Sequence, residues 1–314
     1  MTGGLGYVGG RVAQYLSEFP DFSLRLGTRQ KKPPQPSWLK RGEIIPLDLL
    51  SEESLDNACR GVDAVLHLAA INEIESLANP KEAFKINSLG TLKTLLASKK
   101  ARVKKFIYLS TAHIYGAPLL GTITEKTLPH PVHPYAITHR AAEDWVLAAH
   151  QKGSLTGLVI RLSNSFGPPI HPSVNRWTLV INDLCCQAAT SKKLTLRSSG
   201  LQKRDFIPLE DVCRSMHHLL TLPEPLVGDG LFNLGGECSL SIAEIAEKIA
   251  DRSEKVLGFR PVIEKPGPSA NEIFETLDYR IDKLKKTGFQ LQGDMNSEID
   301  ATLLFCREHF SSSQ

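Results

Sequence analysis

Three glycines at three-residue intervals, Gly3, Gly6 and Gly9 in the stretch TGGLGYVGG, constrain this chain more than any other feature. Glycine at that spacing allows a tight turn, a close approach of backbone to a bound group, and close packing of the next element. That element reads as a helix, because Val8, Val12, Ala13 and Leu16 form one apolar face. A helix N-terminus presents free N–H groups and a partial positive charge, so the expected guest is an anion such as a dinucleotide pyrophosphate. Taken alone, the pattern also fits a glycine turn with no ligand. The apolar strand that usually precedes such a turn is missing: Thr2 reads as the last residue of a central strand whose earlier residues are absent. The expectation is therefore a shortened version of a longer chain, with the first strand apparently truncated.

Downstream, strands and helices alternate. Phe22 to Leu26 reads as a strand running into Gly27, Thr28 and Arg29, with Lys31 and Lys32 behind. Glu43 to Leu47 is a further strand, leading to Asp48 and Leu49 and a helix from Ser51 to Cys59. Ala64 to Ala70 is an apolar strand ending in small residues, which lets a bound cofactor pass close above the sheet edge. A helix from Pro80 to Lys99 carries Asn87 near its start, with Leu89, Leu92, Leu95 and Leu96 on one face. Lys105 to Leu109 leads into Ser110 and Thr111, and Leu158 to Leu162 is the sixth strand. Near-continuous apolar strands separated by helices predict a parallel sheet covered on both faces, an α/β fold of the Rossmann-type doubly wound class, with ligands at the carboxyl ends of the strands. At the end of the Phe22 strand an acid would hold a ribose 2′-hydroxyl and an arginine would accommodate a 2′-phosphate; Arg29 and the missing acid favour NADP over NAD.

After Leu162 the alternation breaks at SNSFGPP, where Pro and Gly density marks the entry to a smaller C-terminal lobe. The division is residues 1–165 for dinucleotide binding and 166–314 for substrate, with 201–220 packing back on the first unit. Helices are expected from Asp211 to Leu220, Ser241 to Ala250, Asp282 to Lys286 and Ser297 to Phe310. Trp177 and Leu179 to Ile181 fit either the substrate mouth or the lobe core.

Charge excludes some classes of partner. The 37 basic and 34 acidic side chains leave a net +3, too small a bias for nucleic acid or membrane binding. The six cysteines lack metal-ligand spacing, and with no leader or long apolar run they predict reduced packing residues in a cytoplasmic protein. His113 beside a strand end, His130 and His133 flanking Pro131, and the adjacent His217 and His218 present no metal-ligand set.

Nine segments in order carry a resemblance: TGGLGYVG at 2 to 9, DL at 48 and 49, HLAA at 67 to 70, NSLGT at 87 to 91, STAHIYG at 110 to 116, YAITH at 135 to 139, RLSNSFGP at 161 to 168, RDFIPLEDV at 204 to 212 and FNLGG at 232 to 236. The chain resembles the extended short-chain dehydrogenase/reductase family in its nucleotide-sugar epimerase/dehydratase branch. The resemblance implies a cofactor site of Gly3, Gly6, Tyr7, Val8, Gly9, Arg29, Asp48, Leu49, Leu68, Ala69, Ala70, Asn87, Tyr135 and His139, filled by NAD or NADP. It implies Thr111 and Tyr135 as catalytic residues, with Thr111, Asn164 and Arg204 on a nucleotide-sugar substrate, and a homodimer formed through two helices from each subunit. Arg204 as an ion-pair partner of Asp205 or Glu210 is the alternative.

Family members move a hydride at a sugar carbon while a tyrosine takes or gives the hydroxyl proton. A free tyrosine titrates near 10, and the family lowers that value with a lysine four residues on and with the charged nicotinamide ring. Here that position is His139. Spacing puts it on the face of Tyr135, whereas Arg140 points elsewhere. The resemblance leaves the lysine's role to His139 or a bound water. The sugar dehydratases carry an acid directly after the threonine, and Ala112 and His113 stand there instead, which counts against dehydration. C4 epimerisation or 4-keto reduction remains, with two alternatives: a catalytically impaired binding protein, or a reductase of a small non-nucleotide ketone.

Overall fold

The computed structural model describes residues 1–30, 33–267 and 276–311. Lys31 and Lys32 lie outside the described residues. In chain order the elements are α1 (Tyr7–Ser17), β1 (Leu24–Thr28), β2 (Gly42–Pro46), α2 (Glu52–Cys59), β3 (Ala64–His67), α3 (Glu73–Ala78), α4 (Pro80–Ala83), a π-helical turn (Phe84–Leu89), α5 (Gly90–Lys100), β4 (Lys105–Thr111), β5 (Gly121–Ile123) and α6 (Pro134–Gln151). Then come β6 (Thr156–Leu162), β7 (Asn164–Phe166), α7 (Val180–Ser191), β8 (Lys193–Thr195), β9 (Lys203–Pro208), α8 (Leu209–Thr221), β10 (Leu231–Leu234), β11 (Ser239–Ser241), α9 (Ile242–Leu257), β12 (Val262–Glu264), β13 (Leu277–Tyr279), α10 (Asp282–Lys285) and α11 (Met295–Phe310).

The main sheet runs β2, β1, the Met1–Thr2 segment, β3, β4, β6 and β10, with every pairing parallel. Alternation along the strands sorts the core into two layers. Leu66, Ile107, Leu158 and Ile160 pack with Val12 and Leu16 of α1 and Val212 and Met216 of α8. Val65, Phe106, Tyr108 and Val159 face the other way, onto α2, α5 and α6. β6 is buried along its whole length, as a central strand of a doubly covered sheet must be.

In the position of the first strand stand only Met1 and Thr2. Thr2 bridges Gly27 on one side and His67 on the other; its N–H donates to the Leu66 carbonyl at 2.9 Å, and Gly27 N–H donates to the Met1 carbonyl at 2.8 Å. Beside them lies a cavity of about 710 Å³, bordered by Leu24, Leu55, Val65 and Leu66. Among the described residues no other strand enters the sheet there.

The long helix expected from Pro80 to Lys99 is instead α4, a π turn and α5. Its leucine face is also not the buried one: Leu95 is buried, but Leu96 is exposed, and Thr91, Thr94 and Ser98 turn inward, each hydroxyl bonding the carbonyl four residues back. Small side chains make up most of the buried side of α5. The helix at Ser241 runs on to Leu257, stabilised by a capping box between Ser241 and Glu244.

The smaller lobe has its own core, formed by Phe166, Leu184 and Cys185, by Ile245 and Ile249 of α9, and by Ile299 and Leu303 of α11. The expected division at residue 165 is interleaved, because β10 lies in the main sheet and α8 packs on α1. Trp177 stacks on Phe305 and meets Phe310 edge-on, on the lobe side, whereas Leu179 to Ile181 line a cavity.

Candidate functional site

The head of α1 is a cradle made of backbone. Gly3 has φ +66°, and a Cβ there would lie 2.9 Å from the Ala69 nitrogen; one on Gly9 would lie 2.1 Å from the Gly3 carbonyl oxygen. Only glycine fits either place. The Thr2 hydroxyl accepts from the N–H groups of Leu68 and Ala69, holding the end of β3 against the turn. Gly6 is the N-cap, no side chain caps the helix, and no acidic residue occupies its first turn. The opening N–H groups therefore face a cavity of about 570 Å³ that Gly3, Gly6, Tyr7, Val8 and Gly9 line. An uncapped helix start without acids, behind glycines that admit no Cβ, suits a pyrophosphate.

The same cavity reaches Arg29 and Asp48 at one end, Leu49, Leu68, Ala69 and Ala70 along its floor, and Thr111, Tyr135, His139 and Asn164 at the other. Arg29 is exposed, and the Asp48 carboxylate accepts from Leu50 N–H at 2.9 Å. A second cavity of about 310 Å³ shares Glu73, His113, Tyr135, Asn164 and Leu179 with the first and adds Arg204. Residues from many elements thus border one continuous groove at the carboxyl edge of the sheet.

Two expected cofactor residues are placed differently. Asn87 is 1% exposed and outside the groove; its amide accepts from Ile71 N–H at 2.9 Å and donates to the Thr138 hydroxyl at 3.1 Å. It braces the loop after β3 against α6, with help from Ser88, whose hydroxyl donates to the Thr138 carbonyl at 2.7 Å. The π turn brings both side chains to that face, a local widening found at functional sites. The Tyr7 hydroxyl donates to the Gly167 carbonyl and accepts from the Asn182 amide, both at 3.1 Å. Its ring ties α1 to the lobe, and only its backbone faces the cradle.

α6 carries Tyr135 and His139 on its first turns. His133 caps the helix, its Nδ1 accepting from Tyr135 N–H at 3.1 Å, and Pro134 stands at the first helical position. Further along, Glu143 forms a bidentate pair with Arg161 of β6, at 3.0 Å to Nε and 2.7 Å to Nη2, with both side chains buried. The Arg161 guanidinium also lies 4.6 Å from the centre of the Tyr115 ring. This pair anchors the helix to the sheet. Arg140 points away, pairing with Glu143 and Asp144.

His139 is 1% exposed and lies between two rings, 4.1 Å from Tyr135 and 5.9 Å from Tyr108 by centroids. Its Nδ1 is 2.8 Å from the Tyr135 backbone carbonyl, so Nδ1 carries the hydrogen and Nε2 is the acceptor. Burial pushes its pKa down to about 4, leaving it neutral near pH 7. Burial also pushes the Tyr135 hydroxyl up to about 12, opposed by the positive charge of Arg176 and reinforced by Glu73. His113 is lowered by burial and then by Arg204. The Thr111 hydroxyl accepts from His113 N–H at 3.2 Å.

On the lobe side the Asn164 amide donates to the Asp205 carbonyl at 2.9 Å. The Asp205 carboxylate takes N–H bonds from Gly236 and Cys238, so it is not the partner of Arg204. Among the described residues Arg204 reaches only Gln202, at 3.3 Å, and forms no ion pair. Its remaining donors are free for an anion.

Sequence reasoning passed over Glu73 and Arg176. Glu73 opens α3, and Arg176 comes from the loop before α7; they meet across the groove at 3.4 Å. No spacing rule joins residues so far apart. The only local hint is a lone arginine just before an apolar run.

Comparison with known proteins points the same way. The model of the NAD dependent epimerase/dehydratase family matches residues 1–235. A dTDP-D-glucose 4,6-dehydratase of Mus musculus is 31% identical over 189 residues, covering 60% of this chain and 51% of that one. The chain spans about half the length of the mouse, human and bovine dehydratases it matches. A UDP-glucuronic acid 4-epimerase from Bacillus cereus, solved in complex with NAD, superposes with a TM-score of 0.82 at 22% identity, covering 98% of this chain and 96% of that one. The structure of RMD from Pseudomonas aeruginosa complexed with NADPH gives 0.76 at 24% identity, with 98% of each covered. Among the described residues no helix is long and apolar enough to cross a membrane.

Proposed function

The chain belongs to the NAD dependent epimerase/dehydratase family, and from that premise we propose that it is a nucleotide-sugar enzyme acting at C4, by epimerisation or 4-keto reduction, with Tyr135 as the acid/base. The observation that carries this reading is the single groove in which the glycine cradle, Thr111, Tyr135, Asn164 and Arg204 all open. When bound, the dinucleotide supplies the acceptor or donor of hydride.

The chain's own residues do the rest. The N–H groups at the head of α1 hold the pyrophosphate, and the His139 Nε2, an acceptor, receives a ribose hydroxyl. Arg29 at the rim of β1 is placed for a 2′-phosphate, which favours NADP over NAD. Arg204 and Asn164 hold the sugar nucleotide, Arg204 gripping phosphate oxygens with a guanidinium that no carboxylate occupies. Thr111 hydrogen-bonds the sugar C4 oxygen, and the proton passes between that oxygen and the Tyr135 hydroxyl. Ala112 stands where the dehydratase pattern has an acid, so the residue after Thr111 offers no carboxylate for water removal.

The test is turnover on UDP-, dTDP- and GDP-sugars with NAD or NADP supplied. The expected products are a C4 epimer or a reduced 4-keto sugar, and Tyr135→Phe should cut the rate by ~10²–10⁴ while leaving dinucleotide affinity intact. No turnover on any sugar with either cofactor sinks the reading.

The same reading includes a homodimer. Ile137, Ala141 and Trp145 lie on one face of α6; Ile137 and Trp145 are about half exposed, as are Phe84 of the π turn and Leu96 of α5, two elements that pack against α6. Sedimentation of Trp145→Glu as a monomer, against a dimeric parent, is the expected result.

A further inference from the structure

The tyrosine and lysine of the family pattern work together because the lysine is positive, and His139 is not. Beside the nicotinamide ring, a protein charge that acts on Tyr135 must therefore come from elsewhere. The titratable and charged groups around it are His133 and His139 on its own helix, Tyr108 of β4 and His113 just after it, Glu73 of α3, Arg204 of β9, and Arg176 of the loop before α7. His139 and His113 are both held toward the neutral form by burial. Arg204 borders the smaller cavity, which Tyr135 also lines, and it reaches Gln202. Arg176 and Glu73 border the same groove as the tyrosine and act on it in opposite directions.

Their geometry is a loose pair. Both terminal nitrogens of Arg176 lie 3.4 Å from one oxygen of Glu73. The arginine is the better sheltered partner, with its side chain 23% exposed against 37% for the glutamate. Both border the cavity that contains Thr111, Tyr135 and His139. Glu73 offsets part of the guanidinium's field, and the partial burial of both side chains limits its screening by solvent.

We propose that Arg176 is a positioning residue for proton transfer at Tyr135: it supplies from the lobe the fixed positive charge that the family pattern takes from a lysine, and Glu73 is the counter-ion that holds it there. The assignment rests on the reading of Tyr135 as acid/base, and it adds a consequence. Because Arg176 belongs to the loop before α7 of the lobe and Tyr135 to α6, which packs on the main sheet, the approach of the two sets the reactivity of the tyrosine.

The experiment has two readouts. The first is the pH profile of kcat; the second is the phenolate absorbance of Tyr135, taken as the difference between each protein and its Tyr135→Phe counterpart with NAD saturating. Removing the positive charge in Arg176→Ala should move the midpoint upward by about one pH unit. Glu73→Gln, which removes the opposing charge, should move it downward, and Arg176→Lys should restore the parent value. Unmoved midpoints in both Arg176→Ala and Glu73→Gln overturn the proposal, and so does Arg176→Lys behaving like alanine. Should Arg176→Ala not fold, Glu73→Gln and Arg176→Lys carry the test. The absorbance readout needs no turnover. A moving midpoint in a protein inert on all sugars therefore supports the charge assignment while the proposed reaction fails, and turnover with a fixed midpoint does the reverse.

Discussion

The groove has two ends built on different principles. At the head of α1 the site consists of absent atoms: two glycines that admit no Cβ and a helix start that nothing caps. Around Tyr135 it consists of charges and rings brought from α3, α6, β4 and the loop before α7. The first end depends on backbone, Gly9 against Gly3 and Gly3 against Ala69 after β3, and tolerates little change of shape. The second depends on the balance between burial and charge, so it answers to pH and to contacts far along the chain. An anchor made by backbone binds; a wall made by side chains decides what happens to a proton.

Removing a charge from the second end breaks the comparison most strongly. Glu143→Ala leaves Arg161 buried without its carboxylate, and the cost expected is about 3–5 kcal/mol of stability, read by denaturant unfolding. A loss of a few tenths would show that α6 is held by packing alone.

The pH response comes next. Burial depresses His139 to about 4 and His67 to about 3, against an unfolded value near 6.5. The folded protein therefore stays neutral at these sites while the unfolded chain takes up protons. Stability is full above pH 6.5 and falls as the pH drops toward 4 and then 3, by roughly 3 kcal/mol for His139 alone. Unfolding measured at pH 7 and pH 4.5 should show the fall, and His139→Gln should remove its share. A flat profile in the parent refutes the neutral, buried imidazole.

Gly9→Ala acts on the first end. Its Cβ must displace the Gly3 carbonyl, and the expected loss is about 1–3 kcal/mol of dinucleotide affinity, up to ~100-fold in Kd by calorimetric titration. The Tyr135 midpoint should not move. If it does, the two ends are not separable.

Arg29→Ala is expected to be the smallest effect, lowering the NADP to NAD affinity ratio about tenfold without altering affinity for NAD. An unchanged ratio would remove the case for NADP.

Much of the architecture was legible in the sequence. The cradle is local, so the spacing of Gly3, Gly6 and Gly9 located it, and the two-layer burial along β3, β4 and β6 matches the apolar runs. The site residues that come together are those at strand ends or on the first turns of α6, where order along the chain matches place in the sheet. Asn87 was expected at the cofactor, and in the fold its amide bonds Ile71 and Thr138 from within a π turn, which a 3.6-residue count cannot show. The leucines of α5 misled because large apolar residues mark a face, whereas Thr91, Thr94 and Ser98 are buried there with their hydroxyls bonded to carbonyls one turn back. Tyr7 reads as part of the cradle, yet its ring goes to Gly167 and Asn182, partners far away in sequence.

By itself the sequence determined what depends on neighbours in the chain: the glycine turn, the parallel α/β order, the first turn of α6, and the substitution of His139 for lysine. Only the tertiary structure decided what depends on approach through space. It buried His139 so that it stays neutral, paired Glu143 with Arg161 beneath the helix, and set Arg176 and Glu73, 103 residues apart, at 3.4 Å across the groove. Backbone geometry is set within a few residues, whereas a charge acts over whatever distance the fold leaves, and that distance is written in no single segment.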